Sequence, residues 1–416
     1  MSESNKTIWI INQYASTPET GMGGRHFYLA NELGKLGHKV YVIASSYTHL
    51  LRVKHPQTEK FRFEKRENFT FVWVKMPSYD EAHSKKRVYN WFVFPWRIQS
   101  LAKIIPNKPD AIICSSPSPI AFLGAERLAK TFKATLAFEV RDIWPLTLNI
   151  LGGYSPSHPF IRLMQWVEDR AYQKSDIVIS NLKNAVEHME SRGMDRRKFH
   201  WIPNGVALDE ISENIPLNKI TQGLLPKNKF IIGYTGTIGV ANALDHLIEA
   251  ANLLQDYQDK LAFVFVGNGK EQLVLESLAR QYNLKNIFFL PSIPKKEIQS
   301  MLNQFDVCYI GWKKELLYKF GIGANKIPEY LYSGKPILHS YSGACDPIEE
   351  FKAGINVEAE DSVAIAKAIL ELYNLTDEEK VNISIRAKKA ALENYEYEML
   401  AKKLSQILFN KDHSND

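Results

Sequence analysis

The segment richest in residues that could do chemistry spans positions 320–336. Its glycines and Asn325 stand just before a predicted helix that begins near Lys326. The start of a helix offers unpaired backbone N–H groups and a partial positive charge, which suit a diphosphate, and Lys326 adds a full charge. Glu329 lies one turn further, where its carboxylate can accept hydrogen bonds from two vicinal hydroxyls, such as those of a ribose. The alternative is a capped helix in which Glu329 only stabilises the helix dipole.

A second pair of ionisable residues, Arg141 and Asp142, follows a predicted strand at 135–140. The carboxylate can orient or deprotonate an attacking hydroxyl, and the guanidinium can hold a phosphate. A structural ion pair that supports the turn at Trp144 is the alternative. The catalytic candidates are therefore Asp142, Arg141 and Lys326. His26 falls within a predicted helix, and we expect it on the helix surface.

The segment 85–97 begins with three basic residues, followed by a stretch with five aromatic ones that ends at Arg97. Such a segment can rest on an anionic membrane, with the rings at the interface and the cations on the headgroups. The alternative is a helix packed into the core behind a solvated basic start. The residues assigned to an acceptor or membrane patch are Arg25, Lys85, Lys86, Arg87, Trp91 and Trp96.

Short apolar strands alternate with helical patterns along most of the chain, which predicts an α/β fold with parallel sheets. In the first half the predicted strands are 7–12, 39–44, 111–114, 135–140 and 176–180. In the second half they are 230–234, 261–266, 286–290, 306–310 and 335–338. Ligands of such sheets bind beyond the carboxyl ends of the strands, so the loops there are the expected functional regions.

The chain has 416 residues, of which 45% are hydrophobic and 24% charged, as expected for two globular domains. We predict a first domain at 1–205, a linker at 206–228 and a second domain at 229–395, with a helix at 396–416 that packs back on the first domain. The net charge of +6 is too small to indicate nucleic acid. The three cysteines have no spacing typical of a metal site or a disulfide framework.

The sequence begins without the basic and apolar regions of a signal peptide. It also lacks a run of about 18 apolar residues, so no membrane-spanning segment is predicted. The expected location is the cytoplasm, with a peripheral contact to the inner face of the cytoplasmic membrane.

The segment 326–337 resembles the donor-site helix of glycosyltransferase family 4. Six further segments resemble that family in the same order along the chain, at 21–25, 139–145, 202–206, 234–239, 266–269 and 306–309. The resemblance implies the GT-B fold, in which two Rossmann-like, doubly wound domains face each other across a cleft. The form of 139–145 is closest to bacterial enzymes that build lipopolysaccharide O-antigen, capsule or exopolysaccharide.

The resemblance also implies an activity. It is retaining transfer from a nucleotide-diphosphate sugar to a glycan or a polyprenyl-diphosphate-linked saccharide, with no cofactor and no essential metal. A UDP-sugar is favoured as donor, such as one carrying an N-acetylated hexosamine. The implied donor and nucleotide residues are Gly23, Gly24, Thr237, Gly239, Gly267, Asn268, Ser292, Ile293, Asn325, Lys326 and Glu329.

Three positions depart from the family pattern. The family usually has a glutamate eight positions before Glu329, where this chain has Gly321. It also tends to place an arginine and a lysine near the positions of Thr237 and Asn242. Another cation must then meet the leaving diphosphate, and Lys326 is the first candidate.

The sequence also bears on three other functions. A nicotinamide-dependent oxidoreductase would have a G-x-G-x-x-G loop and an acidic residue at the end of the second strand, and this chain has neither. A sugar-nucleotide epimerase of the same fold and a nucleotide-sugar-binding homologue without activity stay open. Turnover of a panel of UDP- and GDP-sugars would separate them.

Overall fold

The computed structural model describes residues 5–21, 24–53, 57–79, 84–212 and 215–410. The chain divides into two compact units. Unit 1 comprises Met1–Asn204 and Tyr397–Asp416, and unit 2 comprises Gly205–Glu396. Each unit contains one β-sheet with helices packed around it, so the predicted α/β class is confirmed.

The unit 1 sheet has eight strands in the order β3-β4-β2-β1-β5-β6-β7-β8. All neighbouring strands run parallel except β3 and β4, which form an antiparallel pair at one edge. The central strands are apolar and fully buried, as parallel strands covered on both faces must be. The strands are β1 Thr7–Ile11, β2 Lys39–Ser45, β3 Phe61–Lys65, β4 Phe69–Val74, β5 Ala111–Ser115, β6 Thr135–Val140, β7 Ile177–Ser180 and β8 Phe199–Trp201.

Among the residues that the structure describes, seven α-helices of unit 1 precede unit 2 along the chain. The Ser84 hydroxyl caps the second of them by accepting a hydrogen bond from the Lys86 amide. The helices are α1 Arg25–Lys35, α2 Lys85–Arg97, α3 Leu101–Ile104, α4 Ala121–Phe132, α5 Leu146–Ile150, α6 Pro159–Lys174 and α7 Val186–Ser191.

The unit 2 sheet has six strands, all parallel, in the order β11-β10-β9-β12-β13-β14. This is the strand order of a Rossmann sheet. Successive strands are added toward one edge from β9 to β11 and toward the other edge from β12 to β14, so the strand order reverses between β9 and β12. The strands are β9 Phe230–Thr235, β10 Leu261–Val266, β11 Ile287–Leu290, β12 Val307–Gly311, β13 Ile337–Ser340 and β14 Gly354–Val357.

The helices of unit 2 are α8 Leu208–Ile211, α9 Lys219–Leu224, α10 Asp245–Leu253, α11 Gln272–Gln281, α12 Ile298–Leu302, α13 Lys326–Ser333, α14 Pro347–Glu350, α15 Ser362–Tyr373 and α16 Asp377–Asn394. Short 3-10 helices lie at Ile98–Ser100, Arg196–Lys198, Val240–Asn242, Gln255–Tyr257, Lys295–Glu297 and Leu316–Phe320. The stretch 206–228, predicted as a linker, contains α8 and α9 and belongs to unit 2.

The last helix, α17 Tyr397–Phe409, returns the chain to unit 1 and packs against α1. The rings of Tyr28 and Tyr397 stack with centroids 5.0 Å apart, and the side chains of His38 and Ser405 are hydrogen-bonded at 2.7 Å. None of the helices that the structure describes combines the length and apolarity needed to cross a membrane.

Candidate functional site

The unit 2 sheet reverses its winding between β9 and β12, which pair side by side. The loops after two such strands diverge to opposite faces of the sheet and leave a crevice that binds ligands. The loop after β9 contains residues 236–239, and the loop after β12 begins at Trp312. The side chain of Lys326, the first residue of α13, reaches residues of both loops.

Lys326 is held by polar and aromatic partners. Its Nζ donates hydrogen bonds to Tyr234 Oη at 3.0 Å and to Asn242 Oδ1 at 3.1 Å. The ammonium also lies 4.6 Å from the ring centre of Tyr234 and 5.8 Å from that of Trp312, within the range of cation–π attraction. Burial lowers the pKa of Lys326 to about 8, although the Glu329 carboxylate acts in the opposite direction. An ammonium has three donors, so an incoming anion can take the third.

Asn242 stands near a position where the family tends to have a lysine, and its side chain is buried against the cation of another element. Its Nδ2 donates to the carbonyl oxygen of Thr237 at 3.0 Å, while its Oδ1 accepts the hydrogen bond from Lys326. The amide therefore links the loop after β9 to α13. The positive charge that residue 242 lacks is supplied 3.1 Å away by Lys326.

Two consecutive hydrogen bonds, which the sequence did not indicate, fix the orientation of the Trp312 ring. Trp312 Nε1 donates to His339 Nε2 at 3.0 Å, and His339 Nδ1 lies 2.7 Å from Asp346 Oδ1. Because Nε2 accepts, Nδ1 carries the hydrogen and donates it to the carboxylate. His339 and Asp346 therefore orient a ring on which Lys326 rests.

Glu329 lies in the first turn of α13, as predicted, with 17% of its side chain exposed. Its Oε1 is 3.3 Å from Lys295 Nζ, and its backbone carbonyl accepts a hydrogen bond from Gln299 Nε2. Lys295, which lies in the segment after β11, was not among the predicted site residues. A ribose bound to Glu329 would share the carboxylate with this lysine.

Two glycines near Lys326 have backbone conformations that other residues rarely adopt. Gly236 has a φ of +136° and Gly267 a φ of +148°. A Cβ on Gly236 would lie 2.6 Å from Lys326 Cε, and one on Gly267 would lie 1.9 Å from the Gly236 carbonyl oxygen. Side chains at these positions would push the loops after β9 and β10 apart.

The loops predicted to contact the nucleobase lie together. The Ile238 amide donates to the Asn268 carbonyl at 3.0 Å, and Asn268 Nδ2 donates to Ser292 Oγ at 3.0 Å. Ser292 is exposed and its neighbour Ile293 is half-buried. The structure thus brings the loops after β9, β10 and β11 into one continuous edge.

The start of α13 is open to solvent. Asn325 is exposed at the N-cap and its side chain caps no backbone amide. Gly239 is half-buried and immediately precedes a 3-10 helix, while Thr237 is exposed. Gly321 is buried with a φ of +94°, a conformation that disfavours the glutamate usual in the family.

The predicted glycine loop of unit 1 is described only in part. Gly23 lies outside the described residues, and Gly24 directly precedes α1. Arg25 is buried, so it does not lie on the exposed acceptor or membrane patch to which the sequence analysis assigned it. Its guanidinium donates to Glu139 Oε1 at 2.9 Å and to the backbone carbonyls of Ile202 and Pro203.

His26 is also buried, which corrects the expectation of a surface histidine. Its Nε2 lies 2.6 Å from Glu139 Oε2, and its Nδ1 lies 3.3 Å from Asn12 Nδ2. Burial lowers the pKa of His26, so the ring is neutral and donates from Nε2. Burial alone would raise the pKa of Glu139, but Arg25 and His26 hold it well below its usual range.

Arg141 and Asp142 follow β6, but they are not paired with each other as a structural ion pair. Asp142 accepts hydrogen bonds from Trp144 Nε1 at 2.8 Å and from Thr147 Oγ1 at 2.5 Å. It therefore supports the turn at Trp144, with both carboxylate oxygens engaged. Arg141 Nε is buried and has no hydrogen-bond partner among the described residues, and burial lowers the pKa of Arg141.

The predicted acceptor or membrane patch on α2 is only partly exposed, because its residues lie on both the exposed and the buried face of the helix. Lys85 and Lys86 are exposed, and Trp96 is 72% exposed. Trp91, by contrast, is buried, and its Nε1 donates to Tyr14 Oη at 2.6 Å. Arg87 is half-buried, with its guanidinium 5.3 Å from the ring centre of Trp91. Trp91 and Arg87 therefore do not belong to the exposed patch.

Comparison with known proteins identifies two family domains. The model of the family described as Glycosyltransferase Family 4 matches residues 21–210, and that of the family described as Glycosyl transferases group 1 matches residues 218–391. The Escherichia coli K12 protein WcaI, whose provisional description is colanic acid biosynthesis glycosyl transferase, is 26% identical over 305 residues. The match covers 71% of this chain and 74% of WcaI.

Two solved structures show the same fold. Sucrose-phosphate synthase from Thermosynechococcus elongatus superposes with a TM-score of 0.70 at 16% identity, covering 97% of this chain and 98% of its own. Anabaena HepE in complex with UDP and glucose gives 0.65 at 14% identity, covering 98% of this chain and 100% of its own. The predicted GT-B fold and the resemblance to family 4 are thereby confirmed. The chain belongs to the glycosyltransferases of the GT-B type, with a family 4 domain followed by a group 1 domain.

Proposed function

We propose that this glycosyltransferase moves a sugar from a nucleotide-diphosphate sugar to a saccharide acceptor, with retention of anomeric configuration. The observation that carries the proposal is Lys326 at the switch point of the unit 2 sheet, 3.1 Å from Asn242 Oδ1. A buried ammonium beside the open start of a helix is suited to the negative charge of a diphosphate.

In the proposed reaction, the bond between the anomeric carbon and the diphosphate oxygen breaks as a new bond forms to the acceptor hydroxyl oxygen. Negative charge grows on the diphosphate, and its departing oxygen takes up the proton of the acceptor hydroxyl as the new bond forms. Lys326 and the backbone N–H groups near Asn325 and Gly239 stabilise that charge because they are fixed before the reaction. With this cation in place, no metal is required.

The remaining donor residues bind the nucleoside. Glu329 accepts hydrogen bonds from the ribose hydroxyls, and the edge formed by Gly267, Asn268, Ser292 and Ile293 contacts the base. UDP is the favoured nucleotide, a proposal that the fold shared with the UDP complex of HepE supports. Asp142 and Arg141 are proposed to orient the acceptor.

We also propose a setting for this reaction. The relative WcaI supports a role in bacterial surface polysaccharide synthesis, whether of lipopolysaccharide O-antigen, capsule or another exopolysaccharide. The acceptor is then a glycan or a polyprenyl-diphosphate-linked saccharide. The exposed residues Lys85, Lys86 and Trp96 support peripheral contact with an anionic membrane.

The proposal is tested with the purified full chain and a panel of UDP- and GDP-sugars, with and without lipid-linked saccharide acceptors and EDTA. We expect one nucleotide sugar to be consumed with transfer to an acceptor, with unchanged rate in EDTA and retained configuration by NMR. Glu329→Ala should weaken UDP binding at least tenfold, about the effect of a lost charged hydrogen bond. The exposed Glu393→Ala on α16 serves as the control.

Three outcomes would contradict parts of the proposal. Epimerised free donor would indicate the epimerase, and nucleotide-sugar binding without turnover would indicate a homologue that has lost activity. Unchanged UDP affinity in Glu329→Ala, measured by titration calorimetry, would refute the ribose assignment.

A further inference from the structure

A group of half-buried side chains at the carboxyl edge of the unit 1 sheet takes no part in the proposed donor site. Tyr14 follows β1, His49 follows β2, Trp144 follows β6 and Arg87 lies on α2. We call these four residues the edge cluster. The Arg87 guanidinium lies 5.8 Å from the ring centre of Tyr14 and 6.0 Å from that of Trp144, and the rings of Tyr14 and His49 are 6.1 Å apart.

Arg87 is oriented by the rings around it. Besides Tyr14 and Trp144, its guanidinium lies 5.3 Å from the ring centre of Trp91, one turn further along α2. Its Nε donates to Tyr14 Oη at 3.3 Å. A guanidinium stacked in this way loses little freedom on binding, and its planar set of donors matches two oxygens of a phosphate.

The Tyr14 hydroxyl has a hydrogen to donate. Its oxygen accepts hydrogen bonds from Trp91 Nε1 at 2.6 Å and from Arg87 Nε at 3.3 Å. A phenol oxygen that accepts two hydrogen bonds still carries its own hydrogen, and no described residue accepts it. The Tyr14 O–H is therefore available to an acceptor atom of a ligand beside Arg87.

Two buried amide oxygens lie next to this cluster without a partner. Gln13 Oε1 and Asn90 Oδ1 have no hydrogen-bond donor among the described residues, although Gln13 and Asn90 are only 5% and 1% exposed. Gln13 Nε2 donates to the Asn90 carbonyl oxygen and Asn90 Nδ2 to that of Pro77, which fixes how both amides point. Most buried acceptors in folded proteins have a hydrogen-bond donor as partner, so these two oxygens lack a donor that another molecule could supply.

We propose that the edge cluster, together with Gln13 and Asn90, binds a glycosyl phosphate and is the acceptor site of the enzyme. Arg87 and the Tyr14 hydroxyl bind the phosphate, Tyr14 and Trp144 contact the pyranose ring, and the two amide oxygens accept from its hydroxyls. The assignment rests on the proposed transferase function and names the chemistry of its second substrate.

The two faces of α2 favour a lipid-linked source of this phosphate. Lys85, Tyr89, Phe92 and Trp96 repeat at helical spacing and are all exposed, whereas Arg87 and Trp91 point into unit 1. A single helix thus offers apolar and cationic groups to a membrane and a guanidinium to a phosphate one turn away. A sugar joined through phosphate to a membrane lipid fits both faces.

The test measures binding of a panel of hexose 1-phosphates and N-acetylhexosamine 1-phosphates to the full chain by calorimetry. At least one of these sugar phosphates should bind, and Arg87→Met should lower its affinity about tenfold. The wild type should bind the same sugar without its phosphate about tenfold more weakly. Tyr14→Phe should lower the affinity for the sugar phosphate by less than Arg87→Met does. Lys86→Met removes the same charge from the adjacent, exposed position and should change the affinity less than twofold. Tryptophan fluorescence during urea unfolding checks that each variant keeps unit 1 folded.

A second arm identifies the source of the ligand. A polyprenyl-linked hexose diphosphate in phosphatidylcholine vesicles should bind more tightly than the free hexose phosphate if the acceptor is lipid-linked, and Trp96→Ala should remove that gain. Equal affinities would assign the site to soluble glycosyl phosphates. The proposal is overturned if no glycosyl phosphate of either kind binds while UDP still does, or if Arg87→Met and Lys86→Met lose affinity equally. If the wild type does not bind UDP, that result would instead refute the assignment of the donor site.

Discussion

Burial and catalysis place opposing demands on the Lys326 side chain. Removing an ammonium from water favours its neutral form, which is why burial lowers the pKa of Lys326 to about 8. Stabilising a diphosphate requires the charged form. The hydrogen bonds to Tyr234 and Asn242 and the nearby aromatic rings stabilise the protonated form of Lys326, so that the charged form is present near neutral pH.

This balance predicts that nucleotide affinity depends on pH. A bound diphosphate favours protonated Lys326, so UDP binding takes up a proton at pH values above about 8, and the affinity falls there. Between about pH 7 and about pH 9 the protonated fraction of a group with a pKa of about 8 falls about tenfold, and the affinity should fall by about the same factor. The phosphate of UDP itself ionises near pH 6, below this window.

Titration calorimetry across that range gives the measurement, and Lys326→Met should bind UDP weakly with no such dependence. Lys389→Met, at an exposed position on α16, should behave like the wild type. A wild-type affinity that stays constant over the window would show that Lys326 does not contact the diphosphate.

The sequence indicated Asn325, Lys326 and Glu329 as candidates because they lie within five consecutive residues, where a glycine-containing loop leads into a helix. It did not indicate His339 or Lys295, because each meets its partner across the fold, with 27 positions between His339 and Trp312 and 34 between Lys295 and Glu329. His26 was misplaced for the same reason. Its helix is polar enough to suggest a surface, but Glu139 lies 113 positions away in the chain.

At the scale of elements, strand prediction depended on burial. The central strands of both sheets are continuous apolar runs, and all ten predicted strands are present within about two residues. Four of the described strands were not predicted. Three of them, β3, β8 and β14, lie at sheet edges, whereas β4 lies beside β3 and was missed although five of its six residues are buried. β3 alternates polar and apolar residues, and β8 and β14 have only three and four half-buried residues, so the apolar signal is weak.

Helix α2 combines a buried face and an exposed face, which the composition of its sequence could not separate. Its exposed face predicts binding to anionic membranes. Phosphatidylglycerol vesicles should co-sediment the protein, and Lys85→Gln with Lys86→Gln should weaken this by about 2 kcal/mol, about 1 kcal/mol for each lysine near the surface. Phosphatidylcholine vesicles should bind less of the wild type.

A matched double variant at two lysines of α16 whose side chains are 40% and 66% exposed, Lys380→Gln with Lys389→Gln, carries the same loss of charge and should sediment normally. Equal losses in the two double variants would point to net charge rather than to α2. No sedimentation of the wild type with anionic vesicles would rule out the membrane contact.

At the scale of the whole molecule, the chain leaves unit 1 after Asn204, forms unit 2 and returns through α17. Unit 1 therefore needs both ends of the chain to complete its core. The described residues of the proposed donor site belong almost entirely to unit 2, with Gly24 as the exception. Damage to α17 should consequently affect folding of unit 1 and leave nucleotide binding intact.

Leu404→Ala tests this separation because Leu404 is buried on the face of α17 that includes Leu400 and Leu408. Truncating a buried leucine should lower the free energy of unfolding of unit 1 by about 2–5 kcal/mol. Of the eight tryptophans only Trp312 lies in unit 2, so tryptophan fluorescence in urea reports chiefly on unit 1, while UDP calorimetry reports on unit 2. We expect the fluorescence transition of Leu404→Ala at a lower urea concentration than that of the wild type, with the same UDP affinity. The exposed Lys402→Ala should match the wild type in both measurements. Weaker UDP binding by folded Leu404→Ala would mean that the donor site depends on the packing of unit 1.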